Sequence, residues 1–591
     1  MDSYMLQFAL EGVDQSVDPA LLSFNRVADA VNVQIKDSTL TCRPGVKIHE
    51  LDIEGDFQGA TFYNPAKGLS QQSFGVDTSG IVARIGGKHY RIVPSKSKPA
   101  STTLDVTALD SEDTASNESY HLAFLKQCEN YVISQDGNGS TWIWDGQNPP
   151  YFSSGYDSTN KEESKLANGA SAVAYAHGRI VQVVNLRQVI VGDIIHKSEF
   201  TTASNILETT EQTYWATGAF FSPPSELGTI RAVEVLPLQD TAHGHGDLMF
   251  HTSEGIFSLD LTLYPRDTWV DQAIVKHVLL DTGAAGFYAI CLMAGDQFFL
   301  SRHGLQTLRS ARAESSLVGN PFNPISESVR DYIDADTRDN FIYASVEKFV
   351  EQRRIFLTTQ HLVRGGARGG RGLLVLNTLP VVGGNRAWEG LWTFPSEGRL
   401  INQLISGVFD TQERMFAFAT GADGKVRLLE FSDDLPNDVL SDGTEKPIEW
   451  QVLTREDTAG DSAECKTIEK AWATIRRASG PLEWEVFSRT DVNDWELWHS
   501  GCADAESCDL ESPIVRDLKL RFGSPPQATK TGTRHQMLLR FKGCAALEAI
   551  KMSSSFDRGG NSTPTSESGC VVLTSTDPKN CTYDPFSYSN E

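Results

Sequence analysis

The chain has 591 residues and a formal net charge of −25, a balance that excludes a protein built to clamp nucleic-acid phosphates, since that requires clustered Lys and Arg. A hydrophobic fraction of 40% with 11 tryptophans supplies real cores, and Gly 48 with Pro 24 excludes a collagenous or wholly disordered chain. The acidity is compatible with a wall that DNA slides past, and equally with plain solubility.

The opening, MDSYMLQFALEG, has no basic n-region, so no signal peptide is expected. No run approaches the roughly 18 apolar residues of a membrane span, so no membrane insertion is expected. Nine cysteines, an odd number concentrated after residue 460, do not read as a secreted disulfide framework. Cys502 and Cys508 flank a polar loop, where a bridge or a metal pair competes with two free thiols.

In chain order, Asp18-Pro19 reads as the cap and first position of one short helical turn. Val31, Val33 and Ile35 alternate with polar residues, which marks a half-buried strand. It turns at Lys36-Asp37-Ser38, returns through Leu40-Thr41-Cys42 and stops at Arg43-Pro44-Gly45. From about residue 60 hairpins become regular: 73–85 with Ser79-Gly80 in its turn, 130–146 turning through Asp136-Gly137-Asn138-Gly139, and 172–185 turning at His177-Gly178.

FHTSEGIFSL at 250–259 is echoed by FLSRHGLQTL at 299–308, with Phe, Gly and Leu coincident. A related hairpin covers 416–431. Hairpin repeats of roughly 40–50 residues are the mark of propeller blades, in which stacking buries sheet faces that one blade alone leaves open. The fold class predicted is therefore all-β: a β-propeller of six to eight blades, about seven at roughly 50 residues each. An added C-terminal antiparallel β-sandwich and an extended tail complete it. The division is 1–59, an N-terminal arm and docking hairpin; 60–440, the propeller; 441–552, the sandwich; and 553–591, an extended arm.

Two interruptions stand out. Ile325, Val329 and Ile333, four apart, form one helix face and predict a crossing between blades. The segment HLVRGGARGGRGLL (361–374) sets Arg364, Arg368 and Arg371 among glycines and reads as a mobile loop. These arginines either touch DNA phosphates or an acidic neighbouring subunit, or serve only solubility. In the sandwich, Leu482, Trp484 and Val486 alternate with Glu483 and Glu485. Residues 466–478 fit a helix or a strand; the turn signal Ser479-Gly480-Pro481 favours a strand.

Enzymatic signatures are weak. SQDGNGSTW (134–142) approximates the Asp-box of sialidase-type propellers, with its glycine and Trp142 one residue late, and that box is itself a hairpin turn. A glycosidase needs two carboxylates facing one sugar, which 77 acidic residues cannot fail to offer somewhere and sequence cannot locate. His243, His245 and Asp247 are compatible with a metal site or a solvated loop. There is no Walker loop, GxSxG or HExxH. The reading expects a protein that is not an enzyme, without catalytic residues, cofactor or metal.

Asp29-Ala30-Val31-Asn32-Val33 followed by Leu40-Thr41-Cys42-Arg43-Pro44-Gly45, with Gly12 before them, resembles the opening of tail proteins of short-tailed bacteriophages. NYVISQDG with WDGQNPP, AYAHGRIVQVV with Val191-Gly192-Asp193-Ile194, the 250–259 and 299–308 repeats, and NRAWEGLWTF (385–394) extend the resemblance over roughly residues 10–435. The family is the tail nozzle, or tail tubular protein B. The resemblance implies a structural virion protein of the tail, assembled in the host cytoplasm. Six copies would form a ring below the portal-adaptor protein, carry tail fibres or spikes, retain the genome, and pass double-stranded DNA without sequence-specific binding. Asn32, Arg43, Pro44 and Gly45 are then interaction candidates of the N-terminal hairpin. A carbohydrate-binding or glycan-cleaving propeller on the particle, or a plug or hub at another level of the tail, are the alternatives.

Overall fold

The computed structural model describes residues 2–7, 11–64, 79–95, 104–110, 122–155, 165–193, 207, 220–223, 225–236, 246–261, 275–317, 324–364, 367–378, 386–409, 412–458, 465–503 and 516–556. The expected C-terminal arm beyond Phe556 lies outside these residues, as do His243 and His245.

Short alternating strands and tight turns fold into successive antiparallel meanders. Blade 1 is Phe57–Tyr63, Gly80–Ile85, Lys88–Val93 and Asp105–Ala108. Blade 2 is Phe124–Cys128, Tyr131–Gln135, Trp142–Trp144 and Tyr151–Phe152. Blade 3 runs Ala170–Ala176, Arg179–Val184, Gln188–Val191, Phe220–Phe221, and blade 4 Ile230–Val235, Leu248–Thr252, Gly255–Leu259, Val275–Leu280. Blade 5 has Ile290–Met293, Asp296–Ser301 and Gly304–Thr307, after which the helix Leu308–Leu317 follows directly. Blade 6 is Val346–Phe349, Arg354–Arg364, Ala367–Asn377 and Ala387–Trp392.

Blade 7 takes three strands from Leu400–Phe409, Gln412–Thr420 and Val426–Ser432. Its outer strand comes from the other end of the chain: Gly45–Glu50 pairs antiparallel with Val426–Ser432, Val46 opposite Phe431. The ring is thereby closed, which covers an edge that would otherwise offer unpaired backbone groups. Buried cores fill the seams between consecutive blades, that of blades 5 and 6 being continuous with the core of the strands after blade 7. Tyr63 and Val82 of blade 1 meet Leu125, Val132 and Trp142 of blade 2, and so on around to Phe416 and Phe418 of blade 7 against Ala60, Ile81 and Ala83 of blade 1. Seven seams carry seven such layers. Across the last seam, Gln403 accepts from Ala60 N at 2.9 Å and donates to Ala60 O at 2.8 Å.

The two repeated decapeptides occupy equivalent hairpins, the second and third strands of blades 4 and 5. His177 and Gly178 both have positive φ, 51° and 73°, as the two-residue turn demands. The hairpin read at 73–85 is placed differently: Gly80–Ile85 is a strand, and the turn follows at Gly86-Gly87. Between blades 5 and 6, Glu327–Val329 and Arg330–Asp334 form the expected short helical crossing, with Val329 and Ile333 buried. Asp18 caps its turn by accepting from Ala20 N at 2.8 Å.

After blade 7, Glu449–Leu453, Lys466–Thr490, Glu496–Ala503, Arg516–Phe522 and His535–Phe556 form a strongly bent antiparallel sheet. Lys466–Thr490 runs straight through Ser479-Gly480-Pro481, where a turn was expected. Register shifts on either side of Ser479 bend the strand there instead, because a bulge tolerates a proline that donates no ladder bond. Residues 1–59, read as a separate arm, are distributed between both units. Asp2–Gln7 and Thr39–Cys42 pair with His535–Phe556, Asp29–Val31 pairs with Glu449–Leu453 and with Ala387–Trp392, and Gly45–Glu50 completes blade 7.

Candidate functional site

The N-terminal hairpin residues singled out by the sequence meet at the junction of blades 6 and 7 with the C-terminal sheet. Asn32 interrupts two strands at φ 56°, the left-handed region asparagine tolerates better than most residues. Its side-chain oxygen accepts from Thr393 N at 2.7 Å and from Arg43 Nε at 3.1 Å. Its amide donates to Glu449 O at 2.8 Å. Arg43 is buried and makes a two-pronged pair with Asp438, at 2.8 and 2.7 Å, while also donating to Thr393 O at 2.8 Å. Its guanidinium stands 4.9 Å from the centre of the Phe394 ring. A side chain at Gly45 would put its Cβ 2.1 Å from Asn437 O, so only glycine admits the neighbouring backbone. Asn32, Arg43, Pro44 and Gly45 thus lock the N-terminal hairpin to two blades and to the following sheet.

Beside this lock lies a cleft of about 680 Å³ lined by Asn32, Arg43, Arg371, Phe394, Arg399, Asp438, Lys446, Glu449, Trp450, Trp484, Glu485, Arg540 and Lys542, among others. It brings Arg371 together with Asn32 and Arg43, which the sequence had placed in separate groups. Arg368 is not in it. The segment 361–374 is largely strand: Arg354–Arg364 and Ala367–Asn377 pair almost to the tip of a long hairpin. Its glycines serve close approach, since a Cβ at Gly369 would sit 2.6 Å from Ile401 O and one at Gly370 2.7 Å from Thr359 O. Arg368 stacks over the Tyr343 ring at 5.1 Å. Trp484, Glu485 and Arg399 were not singled out as site residues; nothing local marks them, because the cleft is assembled from blade and sheet.

Elsewhere, polar residues strut the seams. His89 Nδ1 lies 2.8 Å from Asp110 Oδ2, its Nε2 2.9 Å from Ser134 Oγ, and Trp142 Nε1 donates to Asp110 Oδ1 at 2.7 Å. The order resembles a hydrolytic triad, but His89 and Ser134 are 2% and 1% exposed, so no substrate reaches the hydroxyl. Burial lowers the His89 pKa despite Asp110. Asp136, in the Asp-box-like turn, accepts from Asn138 N and Gly139 N and pairs with Arg84 of blade 1 at 3.2 Å. His251 of blade 4 bonds Gln297 of blade 5 at 2.8 Å, and burial pulls its pKa down to about 4.

First strands of alternate blades bring charges together: Lys126 of blade 2 pairs with Glu234 of blade 4 at 2.7 Å and acts on Glu347 of blade 6, which also accepts from Ser406 of the adjoining blade 7 at 3.0 Å. Burial pushes Glu347 up to about 7, against the opposing pull of Lys348, Ser406 and Lys126. Cys502 is exposed and outside any disulfide, Cys465 is disulfide-bonded, and Cys508 lies outside the described residues. Among the described residues no group of three or more His, Cys, Asp or Glu is placed to hold a metal ion, and no helix is long and apolar enough to cross a membrane.

No protein-family model matches the chain, and no curated protein matches it. Among solved structures it is similar to one described as YCF48 bound to D1 peptide, at 10% identity and TM-score 0.35, covering 66% of this chain and 97% of that one. It is also similar to the computationally designed Ika8 protein, at 9% identity and TM-score 0.30, over 72% of this chain and 100% of the other. The N-terminal domain of Nup159 matches at 7% identity and TM-score 0.25, over 73% and 95%. The propeller itself rests on the strand pairing and the seven seams.

Proposed function

We propose that this chain is a structural subunit of a virus particle: a nozzle protein of the short-tailed bacteriophage kind, acting as one of six copies in a ring through which double-stranded DNA passes. The observation that carries the reading is the lock of Asn32, Arg43 and Gly45. These residues open the resemblance to nozzle proteins, and they tie the start of the chain to blades 6 and 7 and to the C-terminal sheet. A closed propeller fastened at its own seam suits a wall that bears internal pressure. A net charge of −25 suits a channel that DNA crosses without sticking.

A six-membered ring is a closed heterologous assembly, in which each copy offers two different faces. Its partners in this reading are a portal-adaptor protein above and tail fibres or spikes outside, and the protein performs no catalysis. The test is the mass of the purified chain, alone and with its adjoining tail proteins. A particle near six times 65.0 kDa, formed alone or on the adaptor, is the expected result. A strict monomer under every condition would remove the ring.

A further inference from the structure

The outer face of the C-terminal sheet has no part in the lock or the cleft. Asp2–Gln7, His535–Phe556, Lys466–Thr490 and Arg516–Phe522 lie side by side in that order. Strand alternation sends Met5, Ala471, Ala473, Ile550, Met552 and Phe522 into the core. The residues between them face outward and fall into register: Tyr4 opposite Lys551, Lys551 opposite Trp472, and Trp472 opposite Arg521. One rung away, Lys519 stands opposite Thr474. A single row across the sheet thus alternates ring and cation. Lys551 Nζ lies 5.7 Å from the centre of the Tyr4 ring, and Lys470 Nζ 5.2 Å from that of Trp472.

On a chain of net charge −25 this row is an exception. Tyr4, Lys519 and Arg521 are exposed, and Lys470, Trp472 and Lys551 are half-buried. Lys470, Lys519 and Arg521 form no ion pair among the described residues. Arg476, further along the same strand, is neutralised by Glu548 at 2.6 Å. Glu469 and Asp517 are the carboxylates left beside these cations. That excess is small for a phosphate clamp, which neutralises several phosphates at once. Trp, Tyr and Arg are instead the residues that anchor protein interfaces. A basic face set against its own copy across a two-fold axis would bring like charges together, so a second copy must meet it with a different surface. The propeller offers one of opposite sign. The link after the strand that closes blade 7 carries Glu50, Asp52, Glu54 and Asp56, of which, among the described residues, Glu50 alone is in an ion pair, with Lys425.

We propose that the row Tyr4–Lys551–Trp472–Arg521, with Lys470 and Lys519, is one half of a head-to-tail interface whose other half is the acidic propeller surface of a second copy, an assignment that rests on the ring reading. It is tested by sedimentation velocity of the full chain, alone and with the adjoining adaptor, at about 0.05 M and about 0.5 M salt, the higher of which screens exposed charges. Wild-type assembly should weaken at the higher salt. Lys519→Glu with Arg521→Glu should weaken it by roughly tenfold or more, because like charges then face each other. Trp472→Ala should weaken it by roughly tenfold, the loss of one aromatic anchor. The melting temperature reports whether each variant is folded; the double variant, at exposed positions, keeps the test open should Trp472→Ala misfold. Mixed with the wild type, the double variant should still be taken up at one end, since its acidic surface is intact, and so shorten the assemblies. Assembly of the double variant equal to that of the wild type overturns the interface and leaves the ring standing. A wild-type chain that stays monomeric in every condition removes both. A short duplex DNA bound by the wild type and not by the double variant, with assembly equal in the two, would assign the row to nucleic acid and overturn the proposal.

Discussion

Blades 1 to 4 and the junction around Arg43 are built from the same short strands and are held by different means. In blades 1 to 4 every strand pairs with a neighbour close in sequence, and the seams are apolar layers with single polar struts such as His89–Asp110–Ser134. At the junction, strands hundreds of residues apart pair, and a buried charge pair, Arg43–Asp438, stands among side-chain-to-backbone bonds. Local meanders can rely on generic burial, because their turns already set the register. A seam closed by the far end of the chain has no turn to set its register, and directional bonds at Asn32 and Arg43 supply it.

Breaking the junction should have the largest effect. Arg43→Met strands the buried Asp438 carboxylate and should cost on the order of 3–5 kcal/mol in a denaturant melt, whereas Arg43→Met with Asp438→Leu should recover part of the loss. A double variant no more stable than the single one would mean that the arginine acts by packing alone. The strut between blades 1 and 2 comes next. His89→Ala leaves the buried Asp110 and Ser134 short of a partner and should cost roughly 2–3 kcal/mol, with faster amide exchange confined to those two blades.

The charges shared by the first strands should show themselves through pH. Glu347 titrates near 7 in the folded chain, against 4.5 for an ordinary glutamate, so the folded state holds its proton more tightly. Its contribution is complete below pH 4.5 and is lost as pH rises to about 7. Glu347→Gln should therefore flatten that part of a stability-versus-pH curve. His251, held down near 4 from 6.5, has the opposite sign: its stabilisation is present above 6.5 and is lost as pH falls toward 4. It thus offers an internal control. The smallest effect belongs to the exposed pair Lys425–Glu50, 2.9 Å apart across the closing strand. Lys425→Ala should leave the melt unchanged, since exposed pairs are screened and conformationally costly to hold; a large loss there would shift the closure from buried to surface contacts.

Much of the blade architecture was legible because it is local. The return from Val33-Ile35 to Leu40-Cys42, the turn at His177-Gly178, and the paired decapeptides at 250–259 and 299–308 each specify a strand or hairpin through a few adjacent residues, whereas the alternation read from Val31 is broken at Asn32. The Arg–Gly segment misled for a physical reason. Glycines that signal a loop by propensity are here required by strands packed too closely for a Cβ, as Gly369 and Gly370 show. The candidate site was half visible: Asn32, Arg43, Gly45 and Arg371 were named, but Arg371 as part of a loop rather than a cleft. Arg399 and Trp484 carried no local signal.

By itself the sequence determined the strand-and-turn alphabet, the repeat, and hence an all-β propeller with a second β unit, since side-chain alternation and turn chemistry act over a few residues. Only the tertiary structure decided how the chain divides its first 59 residues between two sheets, which strand closes blade 7, and which cations face one cleft. Those outcomes depend on pairing between residues such as Val46 and Phe431, far apart in the chain. Such partners are chosen by shape, burial and directional bonds once the rest has folded, and no local pattern encodes them.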